Sequence, residues 1–329
     1  MQAPVRTSRL GLRALTPTLT AALLVGTMLV QPAGADPAVT YIPLSTPVTQ
    51  ALSFGPGGRL WFGIDNPGRG DGRRFGELSS HGKESVFHFR TPAGPQDSAL
   101  GPDGRVWFTE SGGKVAAVSR DGSYTEFDVG RHSRPAGIAA GDDGNLWIAQ
   151  SKGNEIGRVS TSGTVTEFPL PGSGSRPVGM ASGPGGMWFT LSWGHRVGII
   201  SPTGDIREFL LPKGYQAGSI TRGPDGNMWF AIDRSGSPLY ASPQIGRITP
   251  DGAITEFDAP IGVYRVQMFL APGPDGNVWF TWGGSRIDSI SPTGEVHEYE
   301  LDRSAGDLTL GPDGALWFAS ANSIGRLVP

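Results

Sequence analysis

The residues able to do chemistry in this chain are few. Of five histidines, two lie in polar loop-like surroundings: His132 in Arg131-His132-Ser133-Arg134, and His195 in Ser192-Trp193-Gly194-His195-Arg196. A histidine so placed can move a proton or ligate a metal. Carboxylates in comparable settings are Asp65, Asp97, Glu110, Asp233 and Asp307; such groups accept protons or hold hard cations. From these, His132, His195 and Asp307 are the candidate bases, and Glu110 and Asp307 the candidate metal ligands. A second set, Arg134, Arg176, Trp193, Tyr215, Arg265, Trp282 and Arg303, suits an anionic or ring-containing ligand. No spacing among them dictates a reaction, because the chain has no His-x-x-x-His, no Gly-x-Ser-x-Gly and no phosphate-binding Gly-x-x-x-x-Gly-Lys-Ser/Thr. Absence of cysteine excludes thiol catalysis, Cys-based zinc sites and disulfides.

The elements that position these residues follow from a repeat. Seven of nine tryptophans share one context, a Gly-rich turn, an apolar residue, Trp, then usually Phe: Trp61, Trp107, Trp147, Trp188, Trp229, Trp279 and Trp317. Their separations run from 38 to 50 residues, a period that with dense turn signals points to propeller blades. Within Arg176 to Pro212, four strand-length runs are separated by Gly183-Pro184-Gly185-Gly186, by Ser192 to Arg196, and by Pro202-Thr203-Gly204. The third run recurs as Ile156-Gly157-Arg158-Val159, Ile245-Gly246-Arg247-Ile248 and Ile324-Gly325-Arg326-Leu327. The expected fold is an all-β, seven-bladed propeller of four-stranded blades. One Trp per blade then reads as a wedge between sheets. Asp103, Asp143, Asp225, Asp275 and Asp313 read as turn residues, since they lack the spaced carboxylates of a calcium loop.

The last unit stops after its third strand, while Ala38 to Leu44 has the fourth-strand pattern before any first strand. This N-terminal strand is expected to complete the last blade and close the ring. In such a ring, the loops from second to third strand and from fourth strand to the next first strand open on one face around the central channel. That face carries the candidates above, with two long loops at Gly63 to Arg74 and Asp233 to Ser242.

Ahead of the repeats, Arg6, Arg9 and Arg13 precede the apolar stretch Leu19 to Val30 and then Ala33-Gly34-Ala35, the layout of a cleavable secretory signal. The expected organisation is a signal peptide over residues 1–35 and one propeller domain over 36–329, exported as a monomer. A formal charge of −3 and the lack of Lys/Arg runs exclude a nucleic-acid footprint, and no segment is long and apolar enough to anchor the chain in a membrane.

The repeated Gly-Pro-Asp-Gly-Asn-x-Trp-Phe at Gly223 to Phe230 and Gly273 to Phe280, with Ile-Gly-Arg-Ile-Thr at Ile245 to Thr249 and Ile-Thr-Glu-Phe at Ile254 to Phe257, resembles the streptogramin B lyases, also called virginiamycin B lyases. The resemblance covers Ala38 to Pro329. It implies a seven-bladed propeller and, in active members, a Mg2+-dependent elimination that opens the ester of a cyclic depsipeptide antibiotic without adding water. That reaction needs a base for an acidic Cα proton and a metal for the developing enolate. The family's catalytic His lies in a Glu-Pro-His-Gly stretch, where this chain has Ser304-Ala305-Gly306-Asp307. A second family His corresponds to Gln267-Met268, and the metal-holding Glu to Ser320 or Ala321. Two readings follow: a lyase whose site is rebuilt from other residues, or a non-catalytic propeller that binds a cell-envelope glycan, peptide or small molecule at the channel mouth.

Overall fold

A computed structural model describes residues 37–48, 50–64, 74–90, 94–211, 215–234, 244–259, 267–282 and 284–329. The proposed leader, Asp65, Arg265 and most of the two long loops lie outside them, as does the side chain of Asp233. The described residues contain no helix and form seven antiparallel four-stranded sheets, six of them contiguous in sequence. The fourth blade is representative, with strands Pro177–Gly183, Gly186–Leu191, Arg196–Ile200 and Ile206–Leu210 joined by tight turns. Each blade's first strand packs on the first strand of the next, and the seventh returns to the first, so these strands surround the axis.

Closure occurs as the sequence implies. Ala38–Pro43 pairs antiparallel with Ser323–Val328, from Ala38 opposite Val328 to Pro43 opposite Ser323, and becomes the outer strand of the seventh blade. Beyond the strand, the Leu44 and Val48 N–H groups donate to the Asn322 and Ala321 carbonyls at 2.9 Å.

Why Trp and Phe stand side by side follows from the strand period of two. Consecutive side chains leave opposite faces of a sheet, so each dipeptide serves two layers. Trp61 packs with Phe108 of the next blade, Trp188 with Phe230, Trp229 with Phe280, and Trp317 with Phe62 across the closure. The seven hydrophobic clusters are the seven layers between blades. Within blades two to six the indole stacks on an outer-strand ring of its own blade, as Trp107 does on Phe127 at 5.5 Å and Trp229 on Phe257 at 5.4 Å, whereas Trp317 meets Phe54 of blade one edge-on. The third-strand glycine belongs to this packing, because a β-carbon at Gly246 would overlap Phe230.

The turn aspartates have a second partner that their turn chemistry does not reveal. Asp103, Asp143, Asp225, Asp275 and Asp313 each accept the indole N–H four residues on, at 2.9–3.1 Å. Each therefore caps a Trp that would otherwise bury an unpaired donor. In the fourth blade, where no aspartate is present, the Pro184 carbonyl takes the Trp188 N–H at 3.1 Å.

Candidate functional site at the channel mouth

Blades three and four open with the same short sequence, Ser133-Arg134-Pro135 and Ser175-Arg176-Pro177. Both arginines take a left-handed backbone conformation, φ +47° and +53°, which costs an L-residue about 1–2 kcal/mol. The same hydrogen bonds hold each: Ser151 donates its N–H and hydroxyl to the Arg134 carbonyl, and Ser192 does so to the Arg176 carbonyl, over 2.9–3.2 Å. The backbone is thereby pinned while both guanidinium groups stay exposed.

Arg176 stacks its guanidinium over the Trp193 ring at 4.2 Å, and that ring remains 53% exposed. Trp193 is anchored through its own N–H to the Ser175 carbonyl at 3.0 Å. Two residues on, His195 adopts φ +55° and its Nδ1 bonds the Tyr215 carbonyl at the start of the next blade's inner strand. A carbonyl only accepts, so Nδ1 carries the hydrogen of this bond. The structure thus brings Arg176, Trp193, His195 and Tyr215 together on the rim of blades four and five. Arg134 and the exposed His132 stand on the neighbouring rim of blade three.

Other candidates are placed elsewhere. Trp282 is only 7% exposed, packs edge-on against Phe280 and donates its N–H to Asp288 at 2.8 Å; it is a core ring, contrary to the rim position expected. Arg303 lies over Tyr41 at 4.6 Å and bonds Ser323, so it supports the closing strand. Burial, aided by Asp302, pushes the Tyr41 phenol up to about 12. Glu110 is fully buried at the end of strand Val106–Glu110.

Nearer the axis are two carboxylates, of which sequence reasoning ranked only Asp307 as a site residue. Asp97, on the second blade's inner strand, accepts the Ser98 N–H at 2.8 Å and, across the seam, the Ile138 N–H of blade three at 3.0 Å. Asp307, just before the seventh blade's inner strand, accepts the Leu52 N–H of blade one at 2.9 Å. Burial in the channel, reinforced by the Asp307 charge, raises Asp97 to about 7; burial raises Asp307 to about 6. Each is thus a seam clasp and a group that exchanges a proton near neutrality. Position on a first strand was the available signal for Asp97, since such strands line the axis.

Threonines fasten the seams as well. Thr109, Thr190 and Thr281 donate to the carbonyls of Ala136, Gly218 and Gly306 in the following blades.

The profile of the virginiamycin B lyase family matches residues 40–328. The chain belongs to that family. It is 26% identical to a catalytically inactive virginiamycin B lyase from Staphylococcus aureus with quinupristin, over 89% of this chain and 100% of that one, with a TM-score of 0.78. A streptogramin B lyase structure is 29% identical over 89% and 98% of the two chains, with a TM-score of 0.76. The extracellular domain of a hybrid two-component system from B. thetaiotaomicron shares the fold at 17% identity and a TM-score of 0.68, over 90% of this chain and 41% of that one. No curated protein sequence matches.

The resident magnesium implied by family membership does not fit the donors at this mouth. Both Asp97 oxygens already take backbone N–H groups, and Asp307 is bound to the blade-one backbone. At the positions corresponding to the family's catalytic groups, the Gly306 carbonyl accepts Thr281, the Met268 carbonyl accepts Ser219, and Ser320 is buried with its carbonyl bound by Ser323. Among the described residues no three His, Asp or Glu side chains converge as metal ligands.

Proposed function

We propose that this chain is a ligand-binding member of the virginiamycin B lyase family, exported by its N-terminal leader and acting as a monomer. Its ligand is a ring-bearing, anionic small molecule or peptide of the cell envelope, held on the rim of blades four and five. The observation that carries this reading is the exposed Arg176–Trp193 stack, fixed from the backbone and flanked by His195 and Tyr215. A solvent-exposed indole contributes nothing to the inter-blade layers. With a guanidinium already on one face, it offers a flat apolar surface beside a positive charge, which suits an aromatic or planar anionic group.

One observation favours a second reading, proton abstraction without a resident metal. Asp97, brought to about 7 on a channel-lining strand, has the basicity such a step needs. The two readings separate in one experiment. A streptogramin B antibiotic is incubated with the mature protein, with magnesium or with chelator, and followed by mass spectrometry, while binding is followed by tryptophan fluorescence. Binding without conversion, lost in Trp193→Ala, supports the first reading. A ring-opened product of unchanged mass overturns it, and loss of that product in Asp97→Asn would assign the base.

A further inference from the structure

The residue that opens each blade's third strand runs Arg74, Lys114, Glu155, Arg196, Gln244, Arg286 and Ser323 from blade one to blade seven. It lies diagonally across from an outer-strand glutamate in blades two to six: Glu126, Glu167, Glu208, Glu256 and Glu298. Where the position is basic in this series, the pair is an ion pair. Lys114 lies 3.7 Å from Glu126, Arg196 3.5 Å from Glu208, and Arg286 2.6 Å from Glu298. Blade three reverses the charge and sets Glu155 beside Glu167. Neither has an ion pair among the described residues, and the exposed Lys152 reaches neither. Burial and the Glu167 charge raise the Glu155 carboxyl above its ordinary range.

A second observation lies beneath this pair. Gln150, directly opposite Glu155 in register, is 0% exposed, and among the described residues neither Oε1 nor Nε2 has a hydrogen-bond partner. Blades one, four and five place Ile64, Leu191 and Ile232 at that position. An amide here is therefore not a packing requirement of the repeat, and a buried amide left unpaired is destabilising. Its oxygen and the Glu155 carboxylate border one space. The point where a β-carbon on Gly153 would stand lies 3.3 Å from Gln150 Oε1 and 3.4 Å from Glu155 Oε2, and glycine leaves that space open. Glu167 Oε1 borders the adjoining turn, 3.8 Å from the corresponding point on Gly130.

We propose that Gln150, Glu155 and Glu167 form a site for a hard divalent cation of the calcium class on the flank of blade three. The cation replaces the Lys or Arg of the neighbouring blades, neutralises the two carboxylates and gives the buried amide oxygen its missing partner. Mixed carboxylate and amide-carbonyl oxygens in an irregular arrangement suit calcium, whereas magnesium demands near-ideal octahedral geometry. The site is separate from the channel mouth and does not depend on the ligand proposed there.

The test uses mature protein stripped with chelator and titrated with calcium chloride alone, followed by calorimetric binding and by the thermal midpoint. Calcium is expected to bind at one site and raise the midpoint, and magnesium at equal concentration to raise it less. Glu155→Lys copies the Lys114–Glu126 pair, so it should fold, raise the midpoint in chelator and abolish the calcium response. Gln150→Leu copies Leu191, so it should also fold and weaken calcium by about tenfold or more through loss of a ligand. The proposal is overturned if calcium neither binds nor shifts the midpoint, as when Glu155 and Glu167 share a proton instead. It is equally overturned if Glu155→Lys responds to calcium as the parent does, which would place the cation elsewhere.

Discussion

The layers between the blades and the rim above them are made from the same repeat but differ in what they tolerate. Between blades, every unit supplies one indole, six of the seven set it against an outer-strand ring, and the fourth blade replaces the capping aspartate of blades two, three, five, six and seven with a carbonyl so that the Trp188 N–H still has a partner. On the rim, blades three and four share the Ser-Arg-Pro entry, yet only blade four adds Trp193 beneath its arginine. Residues shared by every unit fix the packing; residues that break the pattern at one unit are where a ligand can be recognised. The two regions should therefore respond differently to substitution.

The largest effect is expected at closure. Deleting Ala38 to Leu44 removes the outer strand of blade seven and reopens a sheet edge, so cooperative unfolding should be lost. Deleting the equally long stretch Asp65 to Asp71 should leave it intact. Equal losses in denaturant melts would mean that the ring is not closed by this strand. Next comes Trp229→Ala, which empties a fully buried site between blades five and six and should cost about 3–5 kcal/mol in urea unfolding. Asp225→Ala leaves the ring in place but strips its N–H of an acceptor at 2.9 Å; a loss of about 1–3 kcal/mol is expected. A loss as large as that of Trp229→Ala would show that the turn, and not the cap, dominates.

These differences also explain how much was readable from sequence. The blade count, the Trp wedges and the closing strand were legible because each rests on a pattern repeated seven times or on an end that lacks its complement. The aspartate caps were not, because Pro-Asp-Gly satisfies turn chemistry on its own and conceals the indole four residues away. Trp282 was misplaced for the opposite reason. It sits at a second-strand end like Trp193, but blade six carries Asp288 where five other blades have glycine and blade two has Ala116 at the third strand's middle, and that carboxylate accepts the indole N–H. Asp97 and Asp307 were visible as acids, yet the N–H groups they clasp belong to other blades, at separations of 41 and 255 residues. Sequence spacing carries no trace of such contacts.

Those two carboxylates give a prediction of intermediate size. Each is raised in the folded chain, Asp97 to about 7 and Asp307 to about 6, above the ordinary aspartate value. Between that ordinary value and these raised ones the folded state binds more protons than the unfolded state, so stability should fall as pH rises through this window. Urea midpoints at pH 5 and pH 8 should show the decline, and Asp97→Asn should flatten it. A midpoint that rises with pH in this window would contradict the channel burial assigned to both groups.

The smallest stability effect is expected where the effect on binding is greatest. Trp193 is more than half exposed, touches no inter-blade cluster, and is held to the scaffold by its backbone N–H, which alanine retains. Trp193→Ala should therefore shift unfolding by no more than about 0.5 kcal/mol. The same change removes the surface that Arg176 covers on one face and should abolish saturable binding of ring-bearing anions by the mature protein. Arg176→Lys probes the stack more finely, because an ammonium keeps the charge but lacks the planar face that lies on the indole. It should weaken binding less than alanine at 193 does and leave the unfolding midpoint unchanged. If Trp193→Ala destabilised the fold as Trp229→Ala does, the indole would belong with the wedges, and the rim would lose the residue that sets it apart from the layers below.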